Sequence, residues 1–198
     1  MQKIILASTS PRRKKLLETI GLPFSIEKSN YPEVLDQKIT AEKLAEQLAF
    51  KKADTVAKKH QNALVIGADT FIVFRGKYLG KPANDKDAKA MLQMLSGKKH
   101  QVVSAFCLID TSSKKVIIKS ITSNVWLRKI AEKEIDLYLK TKEPQGKAGA
   151  YAVQELGMIF VKKIEGDYQA IVGLSIHELS NALTEFGVSI LKYNLTSK

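Results

Sequence analysis

Residues 4–17, IILASTSPRRKKLL, leave the chain few ways to fold. Ile4-Ile5-Leu6-Ala7 is a short, wholly apolar run, best satisfied as a buried strand. Ser10-Pro11 then marks a helix start, with Ser10 as the cap and Pro11 in the first turn, where its missing N–H costs nothing. A buried strand that runs straight into a helix requires a sheet with helices laid on it. The next four residues, Arg12, Arg13, Lys14 and Lys15, sit badly there. The first turn is the positive end of the helix macrodipole, which disfavours cations by a few tenths of a kcal/mol each.

The rest of the composition bounds the answer. At 198 residues the chain has ample length for a core, and we expect a single domain over 1–198. No run approaches the ~18 apolar residues of a membrane span. The N-terminal apolar run is also shorter than a signal-peptide core of about 7–15 residues, so a cytoplasmic protein with no membrane partner is expected. Cys107 stands alone in VVSAFCLI, which excludes an internal disulfide and suits a buried thiol. His60, His100 and His177 make no zinc pattern. The net charge of +12 favours anionic partners, but its lysines are dispersed, as in FKKADTVAKKHQ and FVKKI. Dispersed lysines are usually a solvated face, and nucleic acid is not the expected partner.

Along the chain, the opening helix carries Leu16, Leu17 and Ile20 and stops at Gly21. Residues 22–39 are irregular and polar. A long helix runs from Thr40 to about Lys59. ALVIG and TFIVF are strand-like, split by Ala68-Asp69, and Arg75-Gly76-Lys77 is a turn. Asn84 caps a helix with a core face of Ala88, Met91, Leu92 and Leu95. HQVVSAFCLID and KKVIIKSITSNVWL form a hairpin and a candidate second lobe. A helix over 132–140, the loop EPQGKAGAY, MIFVKKI and YQAIV on either side of Glu165-Gly166-Asp167, and a helix over 176–186 complete the chain. This uneven interleaving predicts a mixed sheet flanked by helices rather than a repeated βαβ unit.

Several residues break their local rules, and such breaks collect at functional sites. A strand, a Ser-rich turn and a helix N-terminus offer free backbone N–H groups to a phosphate. Ser8, Thr9 and Ser10 add hydroxyls, and Arg12 and Arg13 add bidentate cations. Without an anion these side chains would swing into solvent at small cost. Lys52 falls four residues after Leu48 and four before Val56, on the apolar stripe, so it either snorkels out or meets an anion. Asp69 lies between strand-like runs, where a carboxylate is costly unless paired or metal-bound, ordinary turn duty being the alternative. Gly67 and Ala68 beside it leave room for a ligand. Lys81 precedes Pro82 and is held extended. In KAGAYAVQ, small residues that allow close approach lead to Tyr151 and Gln154, and the Gln154 amide offers one donor and one acceptor group to a base edge.

Together these stretches resemble the Maf family of nucleoside triphosphate pyrophosphatases. ILASTSPRRKKLL, LAFKKA, GADT, GKP, LSGKKHQVVSA and EPQGKAGAYAVQELGMIFVKKIEGDYQAIVGL occur in the family's order across nearly the whole chain. The resemblance implies an α/β fold of the Maf/ITPase-like kind, with an elongated mixed β-sheet flanked by helices and two lobes around a central cleft. It also implies a divalent metal, Mg²⁺ or Mn²⁺, and a homodimer. By position, Asp69 is the implied proton acceptor; Ser8, Arg12, Arg13, Lys52 and Lys81 surround the triphosphate; Glu33 joins Asp69 at the metal; and Arg12, Thr70 and Gln154 bear on substrate choice.

GADT with KAGAYAVQ is similar to the branch acting on dTTP and UTP. The branch acting on 7-methyl-GTP has Ser-Asp-Gln in place of Ala68-Asp69-Thr70 and Glu in place of Gln154. Two departures stand out: Pro32-Glu33 where the family often has Asp-Glu, and Gly173-Leu174-Ser175 where it has Gly-Leu-Pro. The former removes a carboxylate from the implied metal shell, and the latter touches only a helix start. A basic nucleic-acid- or protein-binding module linked to septum formation is the rival class, but it leaves the carboxylates at 33 and 69 unexplained.

Overall fold

The longest strand organises the molecule. In the computed structural model, which describes residues 2–196, residues 63–74 form one unbroken strand. Ala68-Asp69 does not split it, because each disfavoured residue in GAD is held by a tertiary partner that local sequence cannot show. In chain order the elements are β1 (Lys3–Leu6), α1 (Pro11–Thr19), β2 (Ser25–Ile26), α2 (Ala41–Ala57), β3 (Ala63–Phe74), β4 (Lys77–Leu79), α3 (Asp85–Leu95), β5 (Lys99–Asp110), β6 (Val116–Leu127), α4 (Glu132–Lys140), β7 (Val161–Glu165), α5 (Tyr168–Val172), α6 (Ile176–Thr184) and α7 (Ile190–Thr196). The seven strands make one mixed sheet in the order β2-β1-β3-β5-β6-β7, with β4 also paired to β3. β1 lies parallel to β2 and β3, and the other pairings are antiparallel.

Alternation along the strands builds two faces. Ile5, Val65, Phe71, Val103 and Cys107 pack under α2. Ile4, Leu6, Leu64, Ile66 and Phe106 pack on the opposite side against Leu17 of α1 and Leu179 and Leu183 of α6. Burial pushes the Cys107 thiol up to about 12, as suits an inert core cysteine. At the far end of the long strands a third cluster gathers Ile72, Phe74 and Val102 with α3, α4, Tyr151 and Phe160. The β5–β6 hairpin is therefore not a lobe in itself. Its strands run through both ends of the sheet, and the lobes are made by the helices clustered at each end.

Other local signals resolve as physical chemistry requires. Arg75 and Gly76, both at positive φ, make the two-residue turn that pairs Phe74 with Lys77. Asn84 accepts from the Asp87 N–H at the start of α3. Ser10 precedes α1 but its side chain makes no cap bond; its own N–H donates to Ser8 Oγ instead. YQAIV is helical as α5, started by Asp167, which accepts from the Ala170 N–H, and ended by Gly173. Of MIFVKKI, the first three residues lie in a 3₁₀ turn over 156–160, and only VKKI is strand. α7 answers to no signal read in the sequence.

Gly67 does not make room for a ligand. A Cβ there would lie 2.3 Å from the Ala49 carbonyl oxygen and 2.6 Å from the Ala53 nitrogen, so this glycine lets the backbone of α2 press onto β3. That contact brings the same turn of α2, which carries Lys52, within reach of Asp69. Because the clash is with backbone, Gly67→Ala is expected to cost about 1–3 kcal/mol. A thermal melt checks this, and pyrophosphate release should fall with it because Lys52 is displaced.

Candidate active site

The site is cut into an edge of the sheet. β5 pairs with one side of β3 from Leu64 to Val73. The other side is shared: β1 takes Ala63–Ile66 and β4 takes Ile72–Phe74. Residues 67–71 have no strand beside them there, and Asp69 is the middle one. Into this gap the chain turns from β1 to α1 through Ser8–Ser10, and from β4 to α3 through Lys81. The resulting cleft, about 580 Å³, is lined by every site residue that the family resemblance implies: Ser8, Arg12, Arg13, Glu33, Lys52, Asp69, Thr70, Lys81 and Gln154. Its volume suits a small-molecule ligand.

Lys52 is buried and does not snorkel. Its Nζ donates to Asp69 Oδ1 at 2.5 Å and to Glu33 Oε1 at 2.6 Å, so carboxylates from two separate segments converge on one ammonium. Glu33 also accepts from Lys81 Nζ through Oε2 at 2.7 Å. Burial alone would raise the Glu33 carboxyl, but the two ammonium groups outweigh it and hold it at about 2. Glu33 sits in an irregular stretch before α2, with no helix or strand to fix it, so these ion pairs hold it in the cleft.

The two arginines have different places. Arg13 is buried and ties three segments together: Nε donates to the Gly173 carbonyl at 2.9 Å, and its terminal nitrogens donate to Ser8 Oγ and Thr70 Oγ1, each at 3.2 Å. Burial pushes its guanidinium pKa down, opposed by the charges of Asp69 and Glu33. Arg12 is only half-buried; desolvation lowers it as well, and Glu155 is its counter-charge. Lys14 and Lys15 are exposed and do not line the cleft. Thr70 shares a 2.8 Å hydrogen bond with Ser104 Oγ across the β3–β5 pair.

Tyr151, flagged in the sequence beside Gln154, lines the cleft, and so do Lys147 and Glu155, to which no sequence signal pointed. Lys147 pairs with Glu155 at 2.9 Å, and its side chain is 11% exposed. Gly149, at φ +66°, has its Cα side against Ile72, where a Cβ would come within 2.2 Å of Cδ1, and its N–H donates to the Gly80 carbonyl. Ser175, standing where the family has proline, caps α6 by accepting from the Glu178 N–H, so the helix start is kept.

Five cations, a hydroxyl-rich turn before a helix N-terminus and two converging carboxylates define an α/β protein built to hold a polyanion in a cleft between two lobes. The chain belongs to the Maf family: the family described as "Maf-like protein" matches residues 3–186. It is 45% identical over 193 residues to the dTTP/UTP pyrophosphatase of Ruminiclostridium cellulolyticum, covering 97% of this chain and 100% of that one. It is 42% identical to the dTTP/UTP pyrophosphatase of Alkaliphilus oremlandii, covering 96% and 100%. Among solved structures, the Staphylococcus aureus Ham1 protein is similar with a TM-score of 0.46 at 14% identity, over 64% of this chain and 72% of that one. Among the described residues no helix is long and apolar enough to cross a membrane.

Proposed function

We propose that this chain is a nucleoside triphosphate pyrophosphatase acting on dTTP and UTP, releasing pyrophosphate and the nucleoside monophosphate, and that it works in the cytoplasm. The observation that carries the reading is the position of Asp69, in the middle of an unpaired strand edge, with Lys52, Lys81, Arg12 and Arg13 around the same cleft. The full-length identity to pyrophosphatases of this name supports it.

Each part of the reaction finds a group. The triphosphate lies along the cations, which stabilise the charge passing to the pyrophosphate leaving group. Asp69 gives Oδ1 to Lys52. Its Oδ2 takes the proton of the water that attacks the α-phosphorus. Arg13 holds the Ser8 turn, Thr70 and Gly173 in one geometry, so the phosphate-binding turn and the base stay in register. Arg12, Thr70 and Gln154 face the rest of the nucleotide; a uracil or thymine edge carries an imide N–H between two carbonyls, which an amide and a hydroxyl meet.

A divalent cation fits the donor set. Asp69 and Glu33 are hard oxygen ligands that already converge on one cationic centre. Among the described residues no group of three or more His, Cys, Asp or Glu forms a closed cage. Mg²⁺ and Mn²⁺ suit one or two carboxylates completed by substrate phosphates and water. Bound there, such an ion would polarise the phosphoryl oxygens.

A pyrophosphate-release panel with Mg²⁺ or Mn²⁺ over dTTP, UTP, 5-methyl-UTP, CTP, GTP and 7-methyl-GTP tests the proposal. The uracil and thymine nucleotides should be the best substrates, and EDTA should stop turnover. Preference for 7-methyl-GTP would reassign the branch. Salt-sensitive oligonucleotide binding with no hydrolysis would replace the enzyme by a binding module.

A further inference from the structure

The cleft lining includes apolar residues that the phosphate chemistry does not use. Ile72, Val102, Val153, Ile171 and Val172 are among them, together with Tyr151. Against Tyr151 lies His100, 2% exposed, on the strand face it shares with Val102 and Ser104. His100 Nε2 and Tyr151 Oη are 2.6 Å apart, and the rings meet edge to face at 5.7 Å and 87°. Among the described residues neither side chain makes another hydrogen bond, and His100 Nδ1 is buried without a partner. A buried imidazole that leaves one nitrogen unsatisfied is an expensive way to fill a core, where a leucine would pack at no such cost. The backbone just before Tyr151 is also strained, since Ala150 holds φ +65° immediately after Gly149 at +66°. Such a conformation persists only where its surroundings over-determine it.

We propose that Tyr151 forms the wall against which the pyrimidine ring packs, and that His100 is the positioning residue that fixes that wall. The inference rests on the nucleotide reading of the cleft and deepens it: the phosphates take the cations, and the base takes the apolar lining where this aromatic ring stands. A phenol held at its oxygen keeps one ring orientation, so its face is presented without an ordering cost at binding. Burial drives the His100 imidazole down to about 4, so it is neutral at physiological pH and the hydrogen bond does not switch there.

The test uses the two products, dTMP and pyrophosphate, as calorimetric ligands in the presence of Mg²⁺, so that no turnover is needed. Y151L should weaken dTMP binding by about tenfold or more, the scale of a lost base–aromatic stack. H100L should weaken it by about three- to tenfold, the scale of one orienting hydrogen bond. Both should leave pyrophosphate binding unchanged. H100Q, whose amide can still reach Tyr151 Oη, should recover dTMP affinity, and H100L combined with Y151F should be no weaker than H100L alone. Equal weakening of both ligands, wild-type dTMP affinity in H100L, or no dTMP binding by the wild type overturns the proposal. If H100L does not fold, Y151F breaks the same hydrogen bond with the ring retained, and its dTMP affinity decides. A wild type that binds dTMP in this pattern yet releases no pyrophosphate from any nucleotide sinks the activity and leaves this inference standing.

Discussion

Asp69→Asn is expected to lose about 10²- to 10⁴-fold in turnover, the range of general-base catalysis, while the protein stays folded. The substitution preserves shape and leaves an amide oxygen for Lys52 to reach. Lys52 also retains Glu33, so the buried ammonium is not stranded. What disappears is the one proton acceptor at the centre of the open strand edge. Pyrophosphate release gives the rate, and circular dichroism with dTMP binding shows that fold and cleft persist. Near-normal release by this variant would remove Asp69 from the chemistry.

Lys52→Met is expected to be worse for the protein than Asp69→Asn, although both stop turnover. The Lys52 and Asp69 side chains are 7% and 6% exposed, and among the described residues Lys52 is the only hydrogen-bonding partner of the Asp69 carboxylate. Removing the lysine strands a buried charge, at a cost of about 3–5 kcal/mol. Glu33 would lose one of its two cations at the same time and keep only Lys81. Denaturant unfolding measures the loss. Combining Lys52→Met with Asp69→Asn should recover much of it without restoring activity, because the stranded charge is then gone. If the double variant is no more stable than Lys52→Met, the pair is not the source of the cost.

Much of this was legible in the sequence, and the failures have physical causes. The periodicity of the long helix placed Lys52 on its buried face, because Leu48 and Val56 are four residues away on either side. The turn and cap residues set most element ends for the same local reason. The cost of Asp69 shows in the sequence, but local propensity cuts the strand around it in two, since Gly and Asp are both poor strand residues. Only the packed structure shows that Gly67 admits α2 and that Asp69 faces Lys52. The role of Arg13 as a tie depends on Gly173, which lies 160 residues away. No local pattern reports such a contact. The cleft itself follows from β1 and β4 sharing one side of β3, a fact of topology rather than of any motif.

That shared side has a consequence for solubility. A β-sheet is vulnerable wherever backbone N–H and C=O groups lie open to another chain. The outer margins here are blunted in ordinary ways: β2 has only two residues, and β7 carries Lys162 and Lys163. The opening along residues 67–71 is a third margin, set inside the molecule, and no short strand or lysine of that kind guards it. Its guards are Lys52, Lys81, Glu33 and Asp69, which an invading strand would have to strip of water and bury. The charges that receive a triphosphate thus also keep out foreign peptide, so selection against aggregation and selection for turnover fall on the same side chains.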